Sequence, residues 1–366
     1  MNHPQGHKSE EAASHHAKFD HIAEDTRLEP GLYSKKNMEL GESRGAEMAL
    51  PGRAQLDAAR ELIATHLWKT PLMPSRSISE DSHRTVYLKL ENLSAVRSFK
   101  ARGAVWCLAC MRPEQRGAGV ITASTGNHGQ GIAYAGRLLG VNVTVVGPRG
   151  LDPAKRHAMQ RLGAKVLIDG GDINEASDVA KSLAERRGST FIEDGEDSTL
   201  LAGATTVLWE MLEDRPDLDS VIVPVGGGNL IASCLWLSRV LERPLAVVGV
   251  QSAMAPGATL SWLRGETTIA DCLTAAGGLA TRRPGALALS VMNRYLDTMV
   301  LVEEDDLARA ISYILHTTGL AVEPAAAAGV AALLGFGERL PGAITAIVLT
   351  GGWISPAQLA DAAKPA

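Results

Sequence analysis

Short aliphatic runs alternate along the chain with segments in which apolar residues recur every three or four positions. The runs have the length of buried strands, and they lie at 86–90, 119–121, 141–146, 164–168, 220–225, 245–250 and 343–349. Helical spacing occurs between them, for example at 129–139 and 230–241, and the alanine-rich segment 325–334 predicts a packed helix that begins beside Pro324. This alternation predicts parallel sheets covered by helices on both faces, which is the α/β class.

The first 50 residues follow neither pattern. They are polar, carry five of the ten histidines, and have no spacing that matches a closed zinc site. We therefore expect residues 1–50 to form a flexible N-terminal extension. Order is predicted to begin near Leu56, where LDAARELIATHL places apolar residues at helical spacing.

Composition and charge exclude several classes of protein. Lys and Arg total 36 against 41 Asp and Glu, and the resulting net charge of −5 gives no bulk attraction to nucleic acid or to an anionic membrane. No apolar run approaches the ~20 residues of a membrane helix, and the opening MNHPQGHKSEE has no apolar signal core. Four cysteines in 366 residues do not make a disulfide framework. We expect a cytoplasmic protein with reduced thiols and neither a nucleic-acid nor a membrane partner.

One glycine-rich loop has the character of a phosphate site. In VIVPVGGGNLIASCLWL an apolar strand is followed by Gly226, Gly227, Gly228 and Asn229, and then by a helix. Consecutive glycines let backbone N–H groups approach an anion, and the helix that follows adds its positive end. The pattern is neither the dinucleotide fingerprint nor the P-loop. A tight turn with nothing bound is the alternative.

Two further loops follow predicted strands. Residues 124–129, STGNHG, open the helix GQGIAYAGRLLG and offer N–H donors and hydroxyls suited to a carboxylate, although an ordinary helix cap has the same residue types. Residues 349–353, LTGGW, place Thr350 at the carboxyl end of the last strand, where α/β sheets hold ligands. A simple strand-end turn is the alternative there.

A lysine lies between an aromatic residue and a segment of small residues. Phe99, Lys100 and the following ARGA open a predicted helix. A partly desolvated lysine amine in such a place can form a Schiff base. The alternative is a surface lysine, which is what most lysines are.

Six motifs occur in one order along the chain: KLEN, SFKARGA, STGNHGQG, VPVGGGNL, VEPAAAAG and LTGG. Together they resemble the fold-type II pyridoxal-phosphate enzymes, particularly the threonine dehydratase and serine racemase group, over residues 56–352. The resemblance implies a two-domain fold similar to that of the tryptophan synthase β subunit, with parallel-rich twisted sheets. Residues 51–112 and 200–366 would form a large cofactor-binding domain, and residues 113–199 a small inserted domain.

The resemblance also implies how pyridoxal 5'-phosphate is held. Lys100 matches the lysine that carries the cofactor as a Schiff base and later acts as the base at the substrate α-carbon, and Phe99 matches the residue stacked on the ring. Asn127 matches the asparagine that bonds the ring hydroxyl, and Thr350 the residue that faces the pyridine nitrogen. The phosphate loop corresponds to Gly226, Gly227, Gly228 and Asn229.

The implied activity is that of an ammonia-lyase, or dehydratase. The substrate carboxylate would lie on a loop made of Ser124, Thr125, Gly126, Asn127 and His128. A neutral hydroxyl at the ring nitrogen favours loss of a β-substituent, so threonine, serine or hydroxyaspartate would give a 2-oxo acid and ammonia. β-Replacement, racemisation and a catalytically silent cofactor or amino-acid binding protein remain alternatives. Relatives commonly form homodimers or homotetramers.

Two departures from the family pattern concern the substrate. Arg97 precedes the lysine motif, where the family has a small residue, and would either bind a second anionic group of the substrate or point outward as a loop charge. The first reading favours an acidic or phosphorylated side chain. Thr125 occupies the position of the serine that reprotonates the opposite face in racemising relatives, so we include it among the candidate catalytic residues.

Other departures concern the cofactor and a metal. Cys272 stands in IADCL, where the family has the glycine that covers the second face of the ring. Gln251 and Gly257 replace the acidic ligands of the divalent-cation site found in some relatives, so no metal site is predicted. Glu323 matches a glutamate near the active site of the family, with its role left open.

Overall fold

The computed structural model describes residues 28–35 and 49–364, and the strands of these residues form two separate sheets. In chain order the strands are β1 (Gly31–Ser34), β2 (Leu72–Pro74), β3 (Thr85–Lys89), β4 (Val120–Ala123), β5 (Val143–Gly147), β6 (Lys165–Ile168), β7 (Thr190–Ile192), β8 (Ser220–Pro224), β9 (Ala246–Ser252), β10 (Thr298–Val302) and β11 (Ile344–Val348).

Helices connect most of the strands, and short 3-10 turns lie at Glu91–Leu93 and Gly337–Arg339. The α-helices are α1 (Arg53–His66), α2 (Arg76–Ser82), α3 (Lys100–Ala109), α4 (Pro113–Ala118), α5 (Asn127–Leu139), α6 (Pro153–Arg161), α7 (Ile173–Arg187), α8 (Ser198–Ala204), α9 (Thr206–Asp214), α10 (Asn229–Val240), α11 (Gly257–Arg264), α12 (Ala286–Tyr295), α13 (Glu304–Thr318), α14 (Pro324–Phe336) and α15 (Pro356–Ala362).

The larger sheet has the strand order β1-β10-β9-β8-β11-β3-β2. Its central strands run parallel, whereas β1 and β2 pair antiparallel at the two edges. Helices α10 and α12 pack on one face, and α13 and α14 on the other. Every residue of β8 and β10 is buried as a result. This is the doubly covered arrangement that the strand-and-helix pattern predicts.

The smaller sheet has the order β6-β5-β4-β7 and is parallel throughout. Helices α3, α5 and α6 cover one face, and α7 covers the other. All four strands come from within residues 113–199, and the strands of the larger sheet come from outside that range. The exact domain bounds stay a prediction.

The predicted strands are all present, with ends that shift by at most two residues, and the helix at Pro324 begins where expected. The expectation for the N-terminal segment needs a correction. Residues 31–34 form β1 and pair with β10, so order begins earlier in the chain than Leu56. The rest of the predicted extension, 1–27 and 36–48, lies outside the described residues.

No helix in the described ranges is long and apolar enough to cross a membrane.

Candidate active site

A cavity of about 410 Å³ opens where the carboxyl ends of strands from both sheets meet. Four of the loops that line it follow β4 and β7 of the smaller sheet and β8 and β11 of the larger one, and residues 277–285 line it as well. Helices α3, α5 and α10 all begin at the cavity, at Lys100, Asn127 and Asn229. Three helix N-termini directed at one space make that space favourable for anions.

The loop after β8 is a backbone cradle that leaves no room for a side chain at its first and third glycines. A Cβ added to Gly226 would collide with the carbonyl of Gly278, and one added to Gly228 would lie 2.8 Å from Ala288 Cβ. Gly228 also has a φ of +91°, which favours glycine. The loop leads into α10 at Asn229, which is buried. Free N–H groups at a helix start, with no side chains to block them, fit a phosphate group.

The loop after β4 is held by its own serine. The Ser124 hydroxyl oxygen accepts hydrogen bonds from the backbone N–H groups of Gly126 at 3.0 Å and Gly129 at 2.9 Å. Thr125 is exposed to the cavity. His128 is buried, and its Nε2 lies 3.0 Å from the Thr122 hydroxyl. That hydroxyl donates to the backbone carbonyl of Ile192, so this hydrogen-bonded pair holds the histidine ring in place.

Lys100 is the first residue of α3, and its amine enters the cavity. The amine lies 4.8 Å from the centre of the Phe99 ring and donates a hydrogen bond to the carboxylate of Asp194. Asp194 follows β7 and is a cavity residue that the sequence analysis missed. No motif marks it, and its strand is a three-residue segment, TFI, that the aliphatic pattern does not predict.

Arg102 fixes the start of α3 within the core. Its guanidinium donates to both carboxylate oxygens of Glu91 at 2.9 Å and to those of Glu210 at 2.7 and 2.8 Å. Lys89 also donates to Glu210, at 2.5 Å. Arg102 is 1% exposed, and such buried charges are stable only when they are fully paired. This network ties the helix that carries Lys100 to β3, to a 3-10 turn and to α9.

Asp194 belongs to a loop that packs tightly on the glycine cradle. Gly195 has a φ of +83°, and a Cβ there would lie 2.8 Å from the carbonyl oxygen of Gly227. Burial alone would raise the pKa of Asp194, but Lys100 and then His128 outweigh it and hold that pKa below its ordinary value. Asp194 is therefore an ionised carboxylate fixed beside the Lys100 amine.

Glu323, at the start of α14, and Thr350, which follows β11, also line the cavity. The Asn127 amide donates to Glu323 Oε1 at 2.7 Å, while Asn127 Oδ1 and Glu323 Oε2 are buried without hydrogen-bond partners. Burial raises the pKa of Glu323. Thr350 is 6% exposed and lines the cavity. These two unpartnered oxygen atoms are available to form hydrogen bonds with a ligand.

Lys155 is a second cavity residue without a sequence signal. It lies on α6, and its side chain runs along Gly126, where an added Cβ would be 3.4 Å from the lysine Nζ. A Cβ on Gly277 would be 3.8 Å from the same atom. A cation therefore lies at the STGNH loop, where the sequence predicts a carboxylate.

Arg97 and Cys272 lie outside the lining of the cavity. Arg97 is exposed, and its guanidinium lies 5.2 Å from the ring centre of Trp353, which fits the second of its two predicted readings, an outward loop charge. Two glycines later in the sequence than Cys272, Gly277 and Gly278, line the cavity, and the carbonyl of Gly278 lies against Gly226 of the cradle.

The predicted lack of a metal site stays a prediction. Within the described ranges, no three His, Cys, Asp or Glu side chains are grouped so that they could hold a metal ion. Gln251, at one of the positions considered, instead accepts hydrogen bonds from the backbone and hydroxyl of Thr259 at 3.0 and 2.9 Å.

Comparisons with known proteins agree with this geometry. A family model described as "Pyridoxal-phosphate dependent enzyme" matches residues 63–351. The chain is 36% identical over 295 residues to the L-threonine ammonia-lyase of Thermotoga maritima, covering 80% of this chain and 73% of that protein. The processed form of threonine deaminase isoform 2 from Solanum lycopersicum superposes with a TM-score of 0.80 at 26% identity. The superposition covers 92% of this chain and 98% of that chain. Maize serine racemase superposes with a TM-score of 0.81 at 26% identity, and the superposition covers 85% of this chain and 96% of that chain.

Proposed function

Because the chain belongs to the family of pyridoxal-phosphate dependent enzymes, we propose that it is the dehydratase member its relatives indicate, an ammonia-lyase that removes water from a β-hydroxy amino acid. The products are a 2-oxo acid and ammonia. Its relatives are threonine ammonia-lyases, so threonine and serine are the substrates to test first. The chain is accordingly a pyridoxal-phosphate-dependent lyase.

The residues of the cavity fit pyridoxal 5'-phosphate. Gly226 to Asn229 would hold the phosphate, since any Cβ at the first or third glycine would fill the cradle or collide with its wall. The buried, unpartnered Oδ1 of Asn127 would accept from the ring hydroxyl. Phe99 would lie against the ring, and Thr350 would face its nitrogen as a neutral hydroxyl. When bound, the cofactor supplies an electron sink for charge that develops at the substrate α-carbon.

The observation that carries the proposal is the position of Lys100. Its amine enters the same cavity as the glycine cradle, on a helix that a buried ion-pair network fixes in place. An amine so placed can hold the cofactor covalently and, once released, take the α-proton of a substrate. Ser124 to His128, with Lys155 beside them, would hold the substrate carboxylate by backbone N–H groups and a cation.

The first experiment compares absorbance spectra of the purified protein and of the Lys100→Ala variant, each with added cofactor. We expect a visible band that borohydride bleaches in the unchanged protein, and no covalent attachment in the variant. Release of ammonia and a 2-oxo acid from L-serine and L-threonine is then measured. Lys181→Ala is the matched control, since this exposed lysine lines the same cavity and should leave both band and activity intact.

Each outcome has a definite meaning. A visible cofactor band without any product from either amino acid would contradict the dehydratase proposal and favour the alternative of a catalytically silent cofactor-binding protein. Recovery of D-serine from L-serine would favour racemisation, for which Thr125 is an exposed hydroxyl that lines the cavity. Covalent attachment of the cofactor in Lys100→Ala would show that another lysine carries it.

We also propose a cytoplasmic location and a homodimer or homotetramer. The location rests on the amino-acid substrate, and the assembly on what relatives commonly do. Light scattering coupled to size exclusion measures the mass directly. A mass of one chain, 38.6 kDa, would contradict the proposed assembly.

A further inference from the structure

Two short segments pair with each other beside the lysine helix: residues 96–99 lead into α3, and residues 350–353 follow β11. Two backbone hydrogen bonds and one antiparallel bridge join them: Gly352 N–H to the Arg97 carbonyl at 2.9 Å, Phe99 N–H to the Thr350 carbonyl at 3.3 Å, and Ser98 with Gly351. The pairing therefore connects the backbone next to Lys100 with Thr350, the residue proposed to face the ring nitrogen.

Arg97 has an unfavourable backbone conformation within this pairing. Its φ is +57°, in the left-handed region that favours glycine, and the family resemblance places a small residue at this position. The Arg97 N–H donates to the Ser94 carbonyl at 2.9 Å, and its carbonyl accepts from Gly352, so the backbone is held on both sides. A larger residue persists in such a conformation only where its surroundings compensate for the strain.

The side chain of Trp353 provides a contact that compensates. The Arg97 guanidinium lies 5.2 Å from the centre of the Trp353 ring, which is within the range of a cation–π interaction. The indole N–H of the same tryptophan donates to the Val96 carbonyl at 3.1 Å. Trp353 therefore contacts two consecutive residues ahead of Lys100, one through its ring face and one through its ring edge. We call Arg97 and Trp353 the clamp.

The loop that carries Trp353 is packed too tightly to move by itself. A Cβ on Gly351 would collide with the carboxylate of Glu323, which is buried. The Glu323 N–H also donates to the Gly351 carbonyl at 3.1 Å. A displacement of Trp353 would therefore be transmitted along the loop to Thr350.

We propose that Arg97 and Trp353 are positioning residues for the proposed elimination. The clamp fixes the start of α3 against the loop after β11, and so sets the distance between Lys100 and Thr350. Neither side chain lines the cavity, so both act through the backbone. The inference rests on the proposed function. Since residues 124–128 follow a strand of the smaller sheet and take no part in the clamp, binding of the substrate carboxylate should not depend on it.

The test compares Arg97→Met and Trp353→Leu with the unchanged holoenzyme. Each variant removes one half of the cation–π contact. For L-serine, kcat should fall by about 10-fold while KM stays within about twofold, because a displaced base slows proton transfer without weakening substrate binding. Cofactor-free protein gives a second measurement: after pyridoxal phosphate is added, the visible band should appear more slowly in both variants.

Further variants separate positioning from a purely structural role. Arg97→Lys keeps the cation and should restore most of kcat and of the loading rate. Arg97→Gly relieves the backbone strain, so its Tm should be equal or higher although its kcat falls as in Arg97→Met. The double variant Arg97→Met/Trp353→Leu should lose no more activity than either single variant, because the two residues act as one unit.

Arg339→Met is the matched control. Arg339 is also exposed and lies 5.1 Å from the centre of an aromatic ring, that of Phe336, and neither residue lines the cavity. This variant should keep the kcat and the loading rate of the unchanged protein. An equal loss of both in Arg339→Met and Arg97→Met would overturn the inference.

The contrary results are distinct from failure of the proposed function. An unchanged protein that forms no visible band would contradict the proposed function, and this inference with it. If the unchanged protein loads cofactor and eliminates water, normal kcat and loading in Arg97→Met would overturn the clamp alone, as would full activity in Arg97→Gly or additive losses in the double variant. If Trp353→Leu does not fold, Trp353→Phe replaces it; it lacks the indole N–H and should show the same lower kcat at constant KM, and a normal kcat there would also overturn the clamp.

Discussion

His128 is the last residue of the STGNH loop and is buried, with its ring hydrogen-bonded to Thr122. Burial is the main reason that its pKa falls from 6.5 to about 4. In the unfolded chain the same ring would titrate near 6.5. Between these two pH values the unfolded state binds a proton that the folded state does not.

This difference predicts a loss of stability in mild acid. The free energy of unfolding should decrease as pH falls from about 6.5 to 4, with His128 contributing at most about 1.4 kcal/mol per pH unit. Replacing it by glutamine in His128→Gln removes that contribution, so the slope should be shallower. Urea denaturation at half-unit pH steps measures the slope. His157→Gln, an exposed histidine on α6, should keep the slope of the unchanged protein; an equal slope in all three proteins would contradict the prediction.

Residues within sequence motifs were predictable, whereas those brought in by the fold were not. Lys100, Asn127, Thr350 and the glycines of the cradle each adjoin a strand or helix that the apolar pattern reveals. Asp194 meets Lys100 across 94 positions of sequence. Nothing local distinguishes its carboxylate from the other acidic residues of the segment EDGED. Only the pairing of β7 with β4 brings this loop to the cavity.

Helices α3 and α5 approach so closely that their crossing depends on glycine. A Cβ on Gly131 of α5 would lie 2.8 Å from both the carbonyl carbon and the oxygen of Lys100. Helix α3 carries Lys100, the proposed cofactor lysine, and α5 follows the proposed carboxylate loop. Their spacing would therefore set the distance between the proposed base and the substrate.

Gly131→Ala should consequently damage both stability and the site. We expect a loss of about 1–3 kcal/mol in the free energy of unfolding, because the added methyl group forces α3 away from α5. Weaker retention of the cofactor band should accompany it. Denaturation by urea and absorbance after dialysis measure the two effects.

Gly335→Ala provides the matched control for that substitution. Gly335 also lies within a helix, α14, but nothing approaches its Cβ position within 4 Å. Alanine there should leave stability equal or raise it by about 0.5–1 kcal/mol. If both variants lost the same stability, the helix contact would not be the cause.

At the level of elements, the sequence predicted the buried parallel strands better than the edges. A strand covered on both faces, such as β8, is a continuous apolar run. Edge strands β1 and β2 are short and partly exposed, with only three or four residues each. They are too short to show the polar and apolar alternation that would distinguish a strand from a loop. Only their pairing within the sheet identifies them as strands.

For the whole molecule, the cavity joins two sheets that have separate cores. Loops from the smaller sheet supply Ser124 to His128 and Asp194, while the larger one supplies the glycine cradle and Thr350. A ligand that contacts both walls binds the folded protein but not the unfolded chain. Binding then stabilises both halves together by linkage.

Removal of the cofactor should therefore lower the Tm of the entire chain. In Lys100→Ala, where binding is reversible, free cofactor at 100 times its Kd should add about 2.7 kcal/mol of stability. Pyridoxal without its phosphate is the control ligand and should add far less, since it leaves the Gly226–Asn229 cradle empty. Differential scanning calorimetry measures both. Equal stabilisation by the two ligands would argue against phosphate binding at the cradle.

The antiparallel edge strand β1 has a practical consequence for handling the protein. It covers β10, whose sequence TMVLV is apolar, free of proline and buried along its full length. A strand of that composition with open backbone groups is a template for pairing with another chain. Shortening the protein from its N-terminal side past residue 35 would uncover this template and promote aggregation, so a shortened form should keep residues 31–34.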